Sequence, residues 1–272
     1  MGFLEIRGEE TKKVYLDDID ILMIENQSVS MTEALLSELM KKKIRVILCD
    51  QKKSPQGELQ PYYGSVDSAR KMKSQISWKE KTKEEVWTKI VKEKIRNQAL
   101  FLEEQGRIRE AQMLEDYIAE MLPGDKTNRE GMAAKVYFDA LFGMTFKRDE
   151  DSTVNMALNY GYALLLSCVN REISYNGYVT QLGIFHDNVY NSYNLSSDLM
   201  EPFRILVDRM VVESQFEKFE TEEKHKMLHI LERKIKIGQS RQILTNGIRI
   251  YVRSVLDALC DDNPEEILFY NL

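Results

Sequence analysis

Hydrophobic positions along the chain fall into two regimes. Up to about residue 64 they come as short β-prone runs: Phe3-Leu4-Glu5-Ile6, Lys13-Val14-Tyr15-Leu16, Ile19-Asp20-Ile21-Leu22-Met23-Ile24 and Ile44-Arg45-Val46-Ile47-Leu48-Cys49. Between the last two, the spacing predicts a helix from Met31 to Lys42, with Ser30 as a cap and Glu33 three residues on. Lys53 to Glu58 reads as a turn and Leu59 to Tyr63 as a return strand. This half is expected to be a small β-rich domain with one helix.

The pattern changes between residues 64 and 78 and is helical from there nearly to the end. Trp78 to Gln105 carries Trp87, Ile90, Val91, Ile95 and Leu102 at three- and four-residue spacings, and Ile108 to Leu122 continues it until Pro123-Gly124. Further helices are predicted at 128–142, 152–174, 198–220, 222–235 and 238–260. Tyr137, Phe138, Phe142 and Met156 are expected in the core of these helices rather than at a cofactor. The expected class is α+β, with a β-rich domain over 1–75 and an α-helical domain over 76–272.

Composition narrows the class. A chain of 272 residues, 43% of them hydrophobic, can bury one large core or two smaller ones, and it contains no apolar run long enough to span a bilayer. Cys49, Cys168 and Cys260 are odd in number, far apart and outside any C-x-x-C pattern. With a start lacking a signal-peptide profile, this predicts a reducing cytoplasm, no disulfide framework and no zinc knuckle. The formal charge of -6 argues against coating nucleic acid, yet the charge is uneven. Arg70 to Arg96 holds ten Lys or Arg against four Glu, and Arg233 to Arg253 holds six basic residues and no acidic one. Either stretch is a phosphate-binding patch or a solvated helix face.

Candidate chemistry concentrates in two places. Glu130 stands three residues after Thr127, so it either completes a capping box or offers a carboxylate beside the small residues Gly131, Ala133 and Ala134. Downstream, His186 precedes Asp198 and Glu201, whose spacing puts both carboxylates on one face if they lie on a helix. Imidazole with carboxylates is a donor set for a divalent metal acting on phosphates. The bland reading is an acidic first turn, with Ser197 or Asp198 as cap and Pro202 early in the helix. His225 and His229, the other two of three histidines, sit at i and i+4 without the Glu of an H-E-x-x-H motif or an evident third ligand. Tyr190 and Tyr193 raise a tyrosine-recombinase hypothesis, but such an enzyme needs an arginine-rich cradle and the neighbours here are Asn188, Asn191 and Asn194.

Taken together, Leu182 to Arg204, Asn128 to Phe138, Val46 to Asp50 followed by Gly57-Glu58-Leu59, and Lys236 to Arg241 resemble the CRISPR-associated integrase-nuclease family, the universal "Cas one" proteins, in their type II-A form. The resemblance covers nearly the full chain. It implies an N-terminal β-sandwich-like domain involved in dimerisation and a C-terminal helical catalytic domain. It further implies Glu130, His186 and Glu201 as ligands of Mn2+ or Mg2+, with Asp198 as an additional acidic catalytic position. Where many relatives outside this subtype carry Asp as last ligand, this chain has Glu201, and where close relatives carry a second His it has Phe185. The implied activity is insertion of short foreign DNA fragments into a repeat array, by attack of a fragment's 3′-hydroxyl on a repeat phosphodiester, with endonuclease activity from the same centre. Implied partners are double-stranded DNA, a second copy of the chain, the small "Cas two" protein, the type II-A ring protein and the RNA-guided effector nuclease, with no membrane. A catalytically silent DNA-binding scaffold is the alternative; it would keep its function when Glu130 or His186 is replaced.

Overall fold

The computed structural model describes residues 2–8, 10–59 and 65–271. The chain divides into two units, Met1–Tyr62 and Tyr63–Leu272.

In the first unit the alternation of apolar and polar residues becomes a hairpin, β1 (Phe3–Arg7) and β2 (Thr11–Tyr15), paired antiparallel with Leu4 opposite Val14. A second sheet follows: β3 (Ile21–Ile24), α1 (Glu33–Lys41), β4 (Arg45–Cys49) and β5 (Pro55–Leu59). β3 lies parallel to β4 because α1 carries the chain back between them, and β5 pairs antiparallel on the other side of β4. Leu4, Leu16, Leu39, Ile44 and Val46 form the buried centre, with Leu22, Ile24 and Leu35 packed against it. This is the mixed β and helix unit expected, with two local differences. Thr32, not Ser30, caps α1 by accepting from Leu35 N. Residues 55 to 58, read as a turn, extend along β4, because ladder hydrogen bonds outweigh the weak strand propensity of Pro and Gly. Beyond Leu59 the expected return strand lies outside the described residues.

The second unit is mostly helical: α2 (Ser68–Ile76), α3 (Glu80–Glu104), α4 (Ile108–Ala119), α5 (Arg129–Phe142), α6 (Thr153–Tyr175), α7 (Asn194–Met200), α8 (Arg204–Ser214), α9 (Thr221–Leu228) and α10 (Leu244–Cys260), with a small sheet of β6 (Lys234–Ile237), β7 (Ser240–Ile243) and β8 (Tyr270–Asn271). The stripe read on α3 is buried as expected: Trp87, Ile90, Val91, Ile95 and Leu102 are all shielded from solvent. It packs against α4, α5 and α8, while α6 packs against α7, α8, α9 and α10. Tyr137 is core, whereas Met156 lies 43% exposed on the outer face of α6.

Three predicted helices need correction. The stretch 198–220 begins earlier, at Asn194, and is broken at Pro202 into α7, a tight turn at Glu201–Phe203 and α8, since proline cannot donate the i to i−4 bond. The stretches 222–235 and 238–260 end and begin around a hairpin: β6 alternates exposed and buried side chains, Gly238 turns with φ of 59°, and Lys236 stands opposite Arg241. β8 pairs with the other edge of β6 and buries Tyr270. Tyr270 stacks on Phe203, ring centroids 4.9 Å apart, and donates to Pro202 O at 2.8 Å, so the C-terminal strand braces the turn that presents Glu201.

Candidate active site

The side chains come from the helical unit: α3, the start of α5, the irregular segment between α6 and α7, α7 itself, and the turn from α7 into the start of α8.

The start of α5 is fixed by two side chains. Asp125 accepts from Arg129 N at 2.7 Å and Glu130 N at 2.9 Å, and Asn128, at φ 53°, accepts from Gly131 N. These satisfy first-turn N–H groups that lack helical partners. The capping box expected from Thr127 and Glu130 is therefore replaced by Asn128 and Asp125, and Glu130 is free to turn toward α3. Gly131 is small for a local reason: a Cβ there would stand 2.8 Å from Asn128 Oδ1.

The segment from Gly177 to Tyr193 has no regular structure and is tied down by side chains. Gln75 of α2 donates to Val179 O and Leu182 O, both at 2.9 Å, and accepts from Val179 N at 3.0 Å. Asn194 donates to Gln181 O and Asn188 O at 3.0 Å, while Asn188 and Asn191 accept from Tyr190 N and Tyr193 N at 2.9 Å. The asparagines beside the two tyrosines thus build turns rather than an anion cradle. Phe185 stacks on Trp87 at 4.4 Å, and His186 meets the edge of the same indole.

Asp198 organises this segment from within α7. It is fully buried and accepts from Ile184 N (2.7 Å), Phe185 N (3.2 Å), His186 N (3.1 Å) and the His186 ring at Nδ1 (2.6 Å). It is neither a helix cap nor a neighbour of Glu201 on an exposed acidic face. Gly183 is required for this closure, because a Cβ would lie 2.3 Å from His186 O and 2.7 Å from Asp198 Oδ2. The bond to Asp198 raises the His186 pKa against the opposing effect of burial, and Glu201 and Glu130 add to the rise. With Nδ1–H on Asp198, the neutral ring carries its lone pair on Nε2, which makes no hydrogen bond among the described residues.

Glu130 and Glu201 meet on a cation that the sequence reading did not single out. Lys94, 7% exposed, forms ion pairs with Glu130 Oε1 and, at 2.5 Å, with Glu201 Oε2. Glu201 Oε1 accepts from Arg204 Nε at 2.9 Å. Burial would raise the Glu201 pKa, but Arg204 and Lys94 outweigh it and hold the carboxyl below its ordinary value. Burial likewise opposes the charge on Lys94, and Glu201 and Glu130 overcome it. The signal for Lys94 was present in the sequence: it falls inside the apolar register Trp87, Ile90, Val91, Ile95, where a lysine has no solvent. Behind it, the Arg204 guanidinium lies 4.6 Å over the Tyr162 ring, and Tyr162 donates to the buried Asp208 carboxylate.

The structure thus joins Glu130 to Glu201 through Lys94, and His186 to Asp198. Among the described residues no group of three His, Cys, Asp or Glu side chains is gathered closely enough to hold a metal ion. The donor chemistry nevertheless suits one: two carboxylates already share a cation, Glu201 Oε2 is buried without a well-aligned hydrogen bond, and an imidazole nitrogen is open. His225 and His229 are exposed, and the latter pairs with Glu232 at 3.1 Å.

Both basic stretches now have structures. Lys79, Lys83, Lys89, Lys94 and Arg96 of the first are drawn into ion pairs with carboxylates. In the second, Lys234, Lys236 and Arg241 are exposed on the β6–β7 hairpin. Cys49 and Cys168 are buried and Cys260 is exposed. No helix of the described residues is long and apolar enough to cross a membrane.

A mixed β unit thus precedes a mostly helical unit in which Lys94 joins Glu130 to Glu201 and Asp198 holds His186. The chain belongs to the CRISPR associated protein Cas1 family, which matches residues 3–238. A CRISPR-associated endonuclease Cas1 of Neisseria meningitidis serogroup C (strain 8013) is 38% identical over 203 residues, 75% of this chain and 67% of that one. Among solved structures, a casposase bound to integration product superposes with a TM-score of 0.75 at 20% identity, covering 94% of this chain and 83% of that one. A Cas6-RT-Cas1–Cas2 complex gives 0.75 at 17% identity over 98% of this chain, which spans 34% of the longer one.

Proposed function

We propose that this protein is a metal-dependent DNA integrase and endonuclease of CRISPR adaptation that inserts short foreign DNA fragments into a repeat array. Membership of the Cas1 family supports the general role, and the convergence of Glu130 and Glu201 on one buried cation is the observation that carries the chemistry. Glu130, Glu201 and His186 Nε2 would hold a Mn2+ or Mg2+ ion, whose contribution when bound is to polarise a phosphoryl oxygen and stabilise charge in the in-line transition state. Asp198 keeps the proton on His186 Nδ1 and orients the ring, the part played by a carboxylate behind a metal-bound histidine. Arg204 fixes the Glu201 carboxylate. A fragment's 3′-hydroxyl oxygen bonds to a repeat phosphorus as the bond to the leaving 3′-oxygen breaks; water in place of the hydroxyl gives cleavage.

The proposed partners are double-stranded DNA, a second copy of the chain and Cas2, with the ring protein and effector nuclease of a type II-A system choosing fragments. The exposed Lys234, Lys236 and Arg241 support contact with a phosphate backbone. The N-terminal unit is assigned to dimerisation and the cytoplasm is the proposed compartment.

The test is joining of a short 3′-hydroxyl duplex to a supercoiled repeat-containing plasmid with Cas2 present, with Mn2+ or Mg2+, comparing the native chain with His186→Ala. Metal-dependent joining lost in the variant, with DNA binding kept, is expected. Equal joining by both proteins would refute the assigned site and return the scaffold reading.

A further inference from the structure

Lys94 stands where a divalent ion would have to be held by Glu130 and Glu201. It is a lysine on the buried stripe of α3, where an ammonium is strongly unfavourable unless paired. Its two partners are the carboxylates assigned to the metal. Charge counting sharpens the point. Glu130 and Glu201 are balanced by Lys94 and Arg204, so this group is neutral; with His186 in the neutral form that a metal ligand requires, Asp198 leaves the site one negative charge. A divalent ion would leave it positive by one, and one phosphodiester would restore neutrality. Without the lysine charge, the ion alone would bring the site to zero.

We propose that Lys94 is a resident cation that competes with the divalent ion for Glu130 and Glu201, so that ion binding is weak in the free protein and coupled to arrival of a DNA phosphate. This rests on the metal-site reading above. Coupling is reciprocal: the ion tightens DNA binding by the factor by which DNA tightens the ion. It also confines cleavage chemistry to the DNA-bound protein. The lysine keeps the apo site folded, since without it Glu201, 3% exposed, would retain only Arg204.

The experiment titrates Mn2+ into the full chain and reads free ion by electron paramagnetic resonance, with and without a duplex ending in a 3′-deoxynucleotide, which cannot be joined. Native protein, Lys94→Met, Lys94→Gln and His186→Ala are compared. The expected result is about tenfold tighter Mn2+ binding by both Lys94 variants in the absence of DNA. The enhancement by DNA, large in the native protein, is expected to shrink in both. Lys94→Gln keeps a hydrogen-bonding group should Lys94→Met fold poorly, and the rise in melting temperature with Mn2+ is expected to be larger in either variant than in the native protein. Native-like affinity and native-like DNA enhancement in the Lys94 variants, with binding lost in His186→Ala, would overturn the competition while leaving the metal site intact. Absence of saturable Mn2+ binding by the native protein with the duplex present, or full binding by His186→Ala, would overturn the metal site and this inference with it.

Discussion

Replacing Asp198 by Asn tests the closure of the loop before α7 with the smallest change of shape. The carboxylate accepts four hydrogen bonds, two on each oxygen: Ile184 N and Phe185 N on Oδ2, His186 N and Nδ1 on Oδ1. An amide has one accepting oxygen, so its NH2 group faces Ile184 N and Phe185 N in one orientation, and His186 N with the His186 ring in the other. Hydrogen bonds to a charged group contribute about 1.5–3 kcal/mol each, so two lost bonds amount to about 3–6 kcal/mol. The segment can open locally instead of enduring donor against donor, which limits the global loss to about 3 kcal/mol. Urea denaturation reads that loss, and hydrogen exchange at residues 184–186 reads the opening. If the NH2 group faces the ring, it donates to Nδ1 and forces the imidazole proton onto Nε2, which nitrogen chemical shifts of His186 would report. Unchanged protection at 184–186 together with a stability loss below about 1 kcal/mol would refute the reasoning; the ties from Gln75 and Asn194 would then be sufficient by themselves.

Three further outcomes follow from the same structure. Burial raises the Asp208 pKa from 3.8 to about 6 despite the hydrogen bond from the Tyr162 hydroxyl. The native state therefore binds more protons than the unfolded chain between those values, and this group's contribution falls as pH rises through the window, by about 3 kcal/mol. Asp208→Asn is expected to remove that decline, read as melting temperature from pH 4 to 7; the same slope in both proteins would contradict it. A Cβ on Gly161 would stand 2.4 Å from Val207 Cγ1, so Gly161→Ala should cost about 1–3 kcal/mol in chemical denaturation, partly recovered in the double variant with Val207→Ala. Asp125→Ala leaves two N–H groups at the start of α5 without partners and should lower stability by about 1–2 kcal/mol, with faster amide exchange at Arg129 and Glu130.

Local pattern determined much of this protein. The apolar spacing in α3, α4, α5 and α6 gave helices within a few residues of those observed, because each buries one continuous stripe and is closed by local signals such as Pro123-Gly124. The early strands were equally legible. The hairpin of β6 and β7 was not: four alternating residues are too few to outweigh the neighbouring helical periodicity, and the pairing that stabilises it comes from β8 at the far end of the chain. The helix at Ser68–Ile76 went unread for the same reason, since it owes its place to Gln75 and the loop at 179–182. The sequence, through its resemblance, picked out Glu130, His186, Asp198 and Glu201. Only the tertiary structure gave Asp198 its place behind His186 and set Lys94 between the two glutamates, because burial and charge balance depend on groups that the fold brings together from distant parts of the chain.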